Sequence, residues 1–163
     1  MPTTDYFQLE LASGVRVAAA IASVVEVTGC SRGEVCPLPG VPSALLGVLN
    51  QRGRLLWVLD LGRLLRLPPT SELPRPQDRL TLVILGDRQG RARLGCVVVA
   101  LRGVVGLDRE QLKPPPARLQ ADVRPLVSGM GITPDGLIAA IDVDAILASL
   151  QHVSPAVYSQ VSR

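Results

Sequence analysis

At 163 residues, 47% of them apolar, the chain can bury enough surface for one domain or for two small lobes that share a core. Its formal charge of +3 rests on arginines scattered along the chain, with Lys113 the sole lysine, and its aromatic side chains are Tyr6, Phe7, Trp57 and Tyr158. With no basic block and almost no stacking platform, these features argue against a nucleic-acid partner and leave a core of Leu, Val, Ile and Ala.

Tyr6 to Leu11 alternates, placing Phe7, Leu9 and Leu11 on one face, and Ser13-Gly14 turns the chain into Val15 and Val17, which predicts an opening β-hairpin. The apolar run Val17 to Val25 reads as a buried strand. A signal peptide needs positive charge ahead of such a run, and here Arg16 stands with Asp5 and Glu10. Asp60 precedes Leu61, Leu64 and Leu65 at helical spacing, so a short helix capped by that carboxylate is expected there. Leu67 to Asp78 (LPPTSELPRPQD) holds four prolines and reads as a linker.

Beyond the linker, Leu80 to Leu85 is a strand, Gly86 to Gly90 a turn, and Leu94 to Leu101 a second strand. Thr133-Pro-Asp-Gly136 is another turn, and Asp142 heads a second helix carrying Val143, Ile146 and Leu147. Residues 151–163 form a polar tail expected to fray. No apolar stretch approaches the ~18 residues of a spanning helix, so no direct membrane insertion is expected. Cys30, Cys36 and Cys96, an odd number without a CxxC pair, point to a reducing, cytoplasmic setting.

The two helix starts expose an internal duplication. LDLGRLL at Leu59 to Leu65 resembles IDVDAIL at Ile141 to Leu147, and a glycine stands thirteen residues before each Asp, Gly47 before Asp60 and Gly129 before Asp142. Gly53 and Gly136 each open the strand that follows. The repeat predicts two related β-barrel lobes, each half ending in a helix.

The residues offer little chemistry. His152 is the single histidine, so a Cys-His mechanism would have to fold the chain end onto a cysteine. Cys30 and Cys36 lack metal-ligand spacing, and no phosphate-binding, dinucleotide or nucleophile-elbow motif is present. No catalytic residue, metal or cofactor is therefore expected. What stands out is polar: Asn50, Gln51 and Arg52 between apolar GVL and LLWVL. A hairpin turn accounts for Asn50 and Gly53, both tolerant of positive φ, whereas Arg52 is either a solvated turn residue or a group able to pair with a carboxylate.

GVLNQRGRLLWVLDLGRLL, Gly47 to Leu65, resembles the signature of CheW-like domains, a Gly-Val-x-Asn-x-Arg-Gly turn leading to Val-x-Asp-Leu and a helix. VVEV at Val24 to Val27, LPGVPSALLG at Leu38 to Gly47, GCVVV at Gly95 to Val99, KPPP at Lys113 to Pro116, VSGMG and LIAAIDVDAIL resemble further parts of that pattern in order. The resemblance spans residues 6–150 and implies an all-β fold of two five-stranded, SH3-like β-barrel lobes with short helices. Lobe limits near 15–67 and 80–141 are expected, with strand exchange between them open.

By function it implies a non-catalytic adaptor coupling the cytoplasmic tip of methyl-accepting chemoreceptors to a CheA-like histidine kinase, whose own CheW-like regulatory domain it would bind. The setting would be the cytoplasm at membrane-associated receptor arrays, for chemotaxis or pilus motility. The resemblance places receptor contact near the groove between lobes, so the partner-binding positions carried over are Val24, Glu26, Gly47, Asn50, Arg52, Gly53, Val98, Leu101 and Gly129. Glycines would permit tight backbone geometry, Asn50 would brace the turn, and Glu26 with Arg52 would set charge complementarity. Val98 and Leu101 are either apolar contacts or core packing. Two departures stand out: Trp57 where the resembled pattern often has Pro, and Val98-Val99 where a Val-Asp pair is usual. The alternative from another class is a small β-barrel interaction or nucleic-acid-binding module unrelated to chemosensing.

Overall fold

A computed structural model of the chain describes residues 3–69 and 75–151. The opening hairpin forms as expected: β1 (Thr4–Glu10) and β2 (Arg16–Ala20) pair antiparallel from Tyr6↔Ala20 to Glu10↔Arg16. After one 3-10 turn at Ile21–Ser23 come β3 (Val24–Ser31), β4 (Leu45–Gln51), β5 (Arg54–Asp60) and α1 (Leu61–Leu64). β6 (Arg79–Gly86), β7 (Arg93–Val98), β8 (Ala100–Leu107), β9 (Val127–Thr133), β10 (Gly136–Ile141) and α2 (Val143–Gln151) complete the order.

The strands make two five-stranded sheets, β8-β1-β2-β10-β9 and β3-β6-β7-β5-β4. The first will be called lobe A and the second lobe B. In each, the chain running on from one edge strand reaches the other: Lys113, past β8, bridges Met130 on β9, and Cys36, past β3, bridges Val48 on β4. Both bridges exchange two N–H···O bonds, so each sheet curls back on itself and covers edge groups that would otherwise stay unpaired.

Sheet membership does not follow limits near 15–67 and 80–141. Lobe B is continuous in the chain, whereas lobe A joins the N-terminal hairpin to β8, β9 and β10. Two apolar runs that read as single strands are therefore each split between the sheets. Val17 to Val25 breaks at the 3-10 turn, with β2 in lobe A and β3 in lobe B. Leu94 to Leu101 breaks at Val99, whose N–H leaves β7 and donates to Glu10 O of the other lobe at 2.7 Å. In each run the residues past the crossing stay apolar although they are only half-buried or, at Val25 and Val99, exposed, so the crossing leaves no mark in the pattern.

The apolar runs have a common cause, because central strands are covered on both faces. Tyr6, Ala18, Leu107, Ile138 and Ala140 fill the interior of lobe A, and Cys30, Val35, Leu49, Val58 and Leu82 that of lobe B. A larger cluster lies between the lobes, where Leu9, Leu11 and Val17 meet Trp57, Leu59, Val83, Leu85 and Leu94 together with Ile146 and Leu147 of α2. Trp57 is buried there.

The duplication is geometric as well as textual. Val58↔Gly95 in the parallel pair β5/β7 matches Ala140↔Ala18 in β10/β2, and Asp60 N–H to Ala44 O matches Asp142 N–H to Leu126 O. Each Asp caps its helix: Asp60 accepts from Arg63 N–H at 3.2 Å and Asp142 from Ala145 N–H at 3.0 Å. Gly53 and Gly136, however, are not equivalent, since Gly53 is the second turn residue while Gly136 already pairs with Thr133.

Candidate functional site

The turn between β4 and β5 is built from Gln51↔Arg54 around Arg52 (φ 53°) and Gly53 (φ 82°). Two successive positive φ values make a type I′ turn, which matches the twist of its strands. Asn50 does not take positive φ. It lies in β4 and its Oδ1 accepts the Gly53 N–H at 2.9 Å, fixing the turn from the side. The left-handed position falls to Arg52, an uncommon residue there.

Arg52 Nη1 and Nη2 donate to Glu26 Oε1 and Oε2 at 3.4 and 3.2 Å. The Arg52 side chain is 77% exposed and that of Glu26 25%. Arg93, opening β7, stands 3.7 Å from the same carboxylate. One carboxylate between two guanidiniums, one of them outside the protein surface, suits exchange of ionic partners. Arg93 escaped the sequence reading, because only the pairing of β3, β6 and β7 brings it to a residue 67 positions earlier.

The other expected positions serve different ends. Val98 is buried, while Val24 and Leu101 are half-buried against the core between the lobes. The last two are counterparts, pairing with Leu85 and Leu9. Gly47 (φ 142°) sits at a bulge, and a Cβ there would overlap the Cys36 carbonyl. A Cβ on Gly129 would come 2.7 Å from that of Leu112. Both glycines thus allow the bridges that close the lobes. The structure gathers Glu26, Asn50, Arg52 and Gly53 at one end of lobe B and leaves Val98, Leu101 and Gly129 elsewhere.

Between the lobes runs a groove of about 830 Å³, whose lining includes Leu11, Val98, Val99, Arg32, Arg63 and Arg79. Val99 is exposed. A second apolar feature missed in the sequence is the cross-strand pair Ile132 and Leu137, exposed on the β9-β10 hairpin at the positions that Asn50 and Leu55 hold in lobe B. Two of the three thiols are poor nucleophiles: burial pushes Cys30 up, and burial with the nearby Asp60 charge pushes Cys96 up to about 12. Among the described residues no three His, Cys, Asp or Glu side chains gather as metal ligands, and no helix is long and apolar enough to cross a membrane. His152 lies outside the described residues.

A family model for the CheW-like domain matches residues 6–151. The chain belongs to the CheW-like domain family. Among solved structures, the scaffolding protein TtCheW from Thermoanaerobacter tengcongensis shares this CheW-like fold with a TM-score of 0.67 and 22% identity, over 86% of this chain and 90% of that one. No curated protein is significantly similar to this CheW-like chain in sequence.

Proposed function

We propose that this CheW-like protein is a non-catalytic adaptor that couples chemoreceptors to a CheA-like histidine kinase in a chemotaxis or pilus-motility array. The observation that carries the reading is the Glu26–Arg52 pair, a two-bond ion pair presented on a rigid turn at the exposed end of lobe B. Such a pair is weak in water and can be traded for an equivalent pair with a partner. The kinase's CheW-like regulatory domain is the partner assigned to this end, and the receptor's cytoplasmic tip to the groove that Val98 helps line. Val99 would give that groove an apolar edge in place of a carboxylate. The adaptor would work in the cytoplasm, at arrays held on the membrane by the receptors.

The test is binding of the purified chain to a histidine kinase that carries an Asn-x-Arg-Gly turn in its own regulatory domain. Association with the wild type that weakens at least tenfold on Arg52→Ala, with an unchanged circular dichroism spectrum, supports the reading. Failure of the wild type to bind any such kinase overturns it. Binding that is indifferent to Arg52→Ala moves the site elsewhere on the lobe.

A further inference from the structure

Among the described residues, only two other than glycine have positive φ, and both are arginines: Arg52 and Arg66. Arg66 (φ 57°) ends α1 in a Schellman motif, with Leu67 N–H donating to Gly62 O at 2.9 Å and Arg66 N–H to Arg63 O at 3.1 Å. That left-handed position is ordinarily glycine, which has no Cβ to crowd the backbone. Pro68 and Pro69 keep the helix from running on, but they do not require an arginine at its left-handed terminus. Position 148 of lobe A, equivalent by the match of Asp60 to Asp142, is Ala148 in the body of α2.

The reason for an arginine lies in its side chain. Arg66 Nε and Nη2 converge on Asp122 Oδ2 at 3.1 and 2.8 Å, across 56 residues and from one lobe to the other. Asp122 ends a largely exposed segment, Pro114 to Asp122, that runs from the Lys113–Met130 bridge to buried Val123, with Leu119 half-buried against the core between the lobes. The far side of this segment is held by Arg124, whose Nη2 donates to the carbonyls of Ala117 and Leu119 at 2.6 and 3.2 Å. The segment therefore resembles a strap fastened at one side within lobe A and at the other to the helix end of lobe B. A strained backbone offset by an exposed ion pair sits close to balance, so the fastening can open without disturbing either sheet.

We propose that Arg66 and Asp122 form a latch between the lobes that holds the strap Pro114 to Asp122 closed against the end of α1, and that salt or a competing anion opens it. The latch is independent of which partners the lobes bind.

Hydrogen exchange of the intact chain, read at the hydrogen-bonded amides of Leu119 and Val123, tests this directly. Asp122→Asn and Arg66→Gly should each speed exchange there by about two- to fivefold while the strand amides keep wild-type rates. Sodium chloride at 1 M should do the same to the wild type and add little to Asp122→Asn. Trypsin cleavage after the exposed Arg118 should accelerate in step. If Arg66 serves only as a helix terminus, Arg66→Gly improves it and the strap exchanges at the wild-type rate in both variants, which overturns the latch. Faster exchange spread evenly over both sheets overturns it too, since that is loss of global stability.

Discussion

Arg52 grips both carboxylate oxygens of Glu26, a residue 26 positions earlier on the strand at the opposite edge of its sheet. Because the guanidinium is mostly exposed, Arg52→Ala should lower stability by less than about 1 kcal/mol. Arg52→Gly should raise it by up to about 1 kcal/mol, since glycine takes the left-handed turn position without strain. Urea denaturation separates the two, and equal destabilisation by both would show that the ion pair, with no contribution from turn strain, sets stability here.

Gly47 cannot carry a side chain while Cys36 and Val48 exchange hydrogen bonds beside it. Gly47→Ala should therefore cost about 2–4 kcal/mol, by steric overlap and by breaking the bridge that closes lobe B. The same change at Gly53, where a Cβ meets nothing, should cost no more than about 1–2 kcal/mol for its positive φ. A Gly47→Ala midpoint within error of wild type would show that the edge yields.

Asp60 and Asp142 perform the same task in the two lobes, and replacing either by Ala should cost about 1 kcal/mol of cap. Asp60 also lies 3.5 Å from Arg63, an exposed contact that adds little. Thermal melts of the single variants and the double variant should show nearly additive losses, because the helices occupy separate sites.

The cysteines should sort by burial in thiol labelling at pH 8. Cys36 is exposed and should react at once, whereas buried Cys30 and Cys96 should react only as the chain unfolds. Cys96, raised from 9.0 to about 12, supports the fold fully below pH 9 and less as pH climbs toward 12, where its burial must give way to charge. A Cys96 label appearing in native protein at the Cys36 rate would contradict this packing.

Local chemistry made much of the fold legible. The Asp caps, the Ser13-Gly14 and Thr133 to Gly136 turns, and the glycine spacing of Gly47 and Gly129 are short-range patterns, and they stand where the residues placed them. Hidden were the breaks at Ile21–Ser23 and Val99, because the residues beyond each crossing are as apolar as those before it, whatever their exposure. Of the candidate site, Asn50, Arg52 and Gly53 were visible as a turn. Arg93 joining Glu26, and Asp122 meeting Arg66, depend on residues far apart in sequence.

By itself the sequence determined which segments are strands or caps, that the chain contains a repeat, and the family that the signature from Gly47 to Leu65 points to. These follow from periodicity and turn chemistry, which act over a few residues. Only the tertiary structure decided that the N-terminal hairpin completes the lobe begun by β8, and that Arg52 holds Glu26. Strand pairing chooses among buried segments of nearly equal hydrophobicity, and that choice rests on how both faces of every strand pack at once.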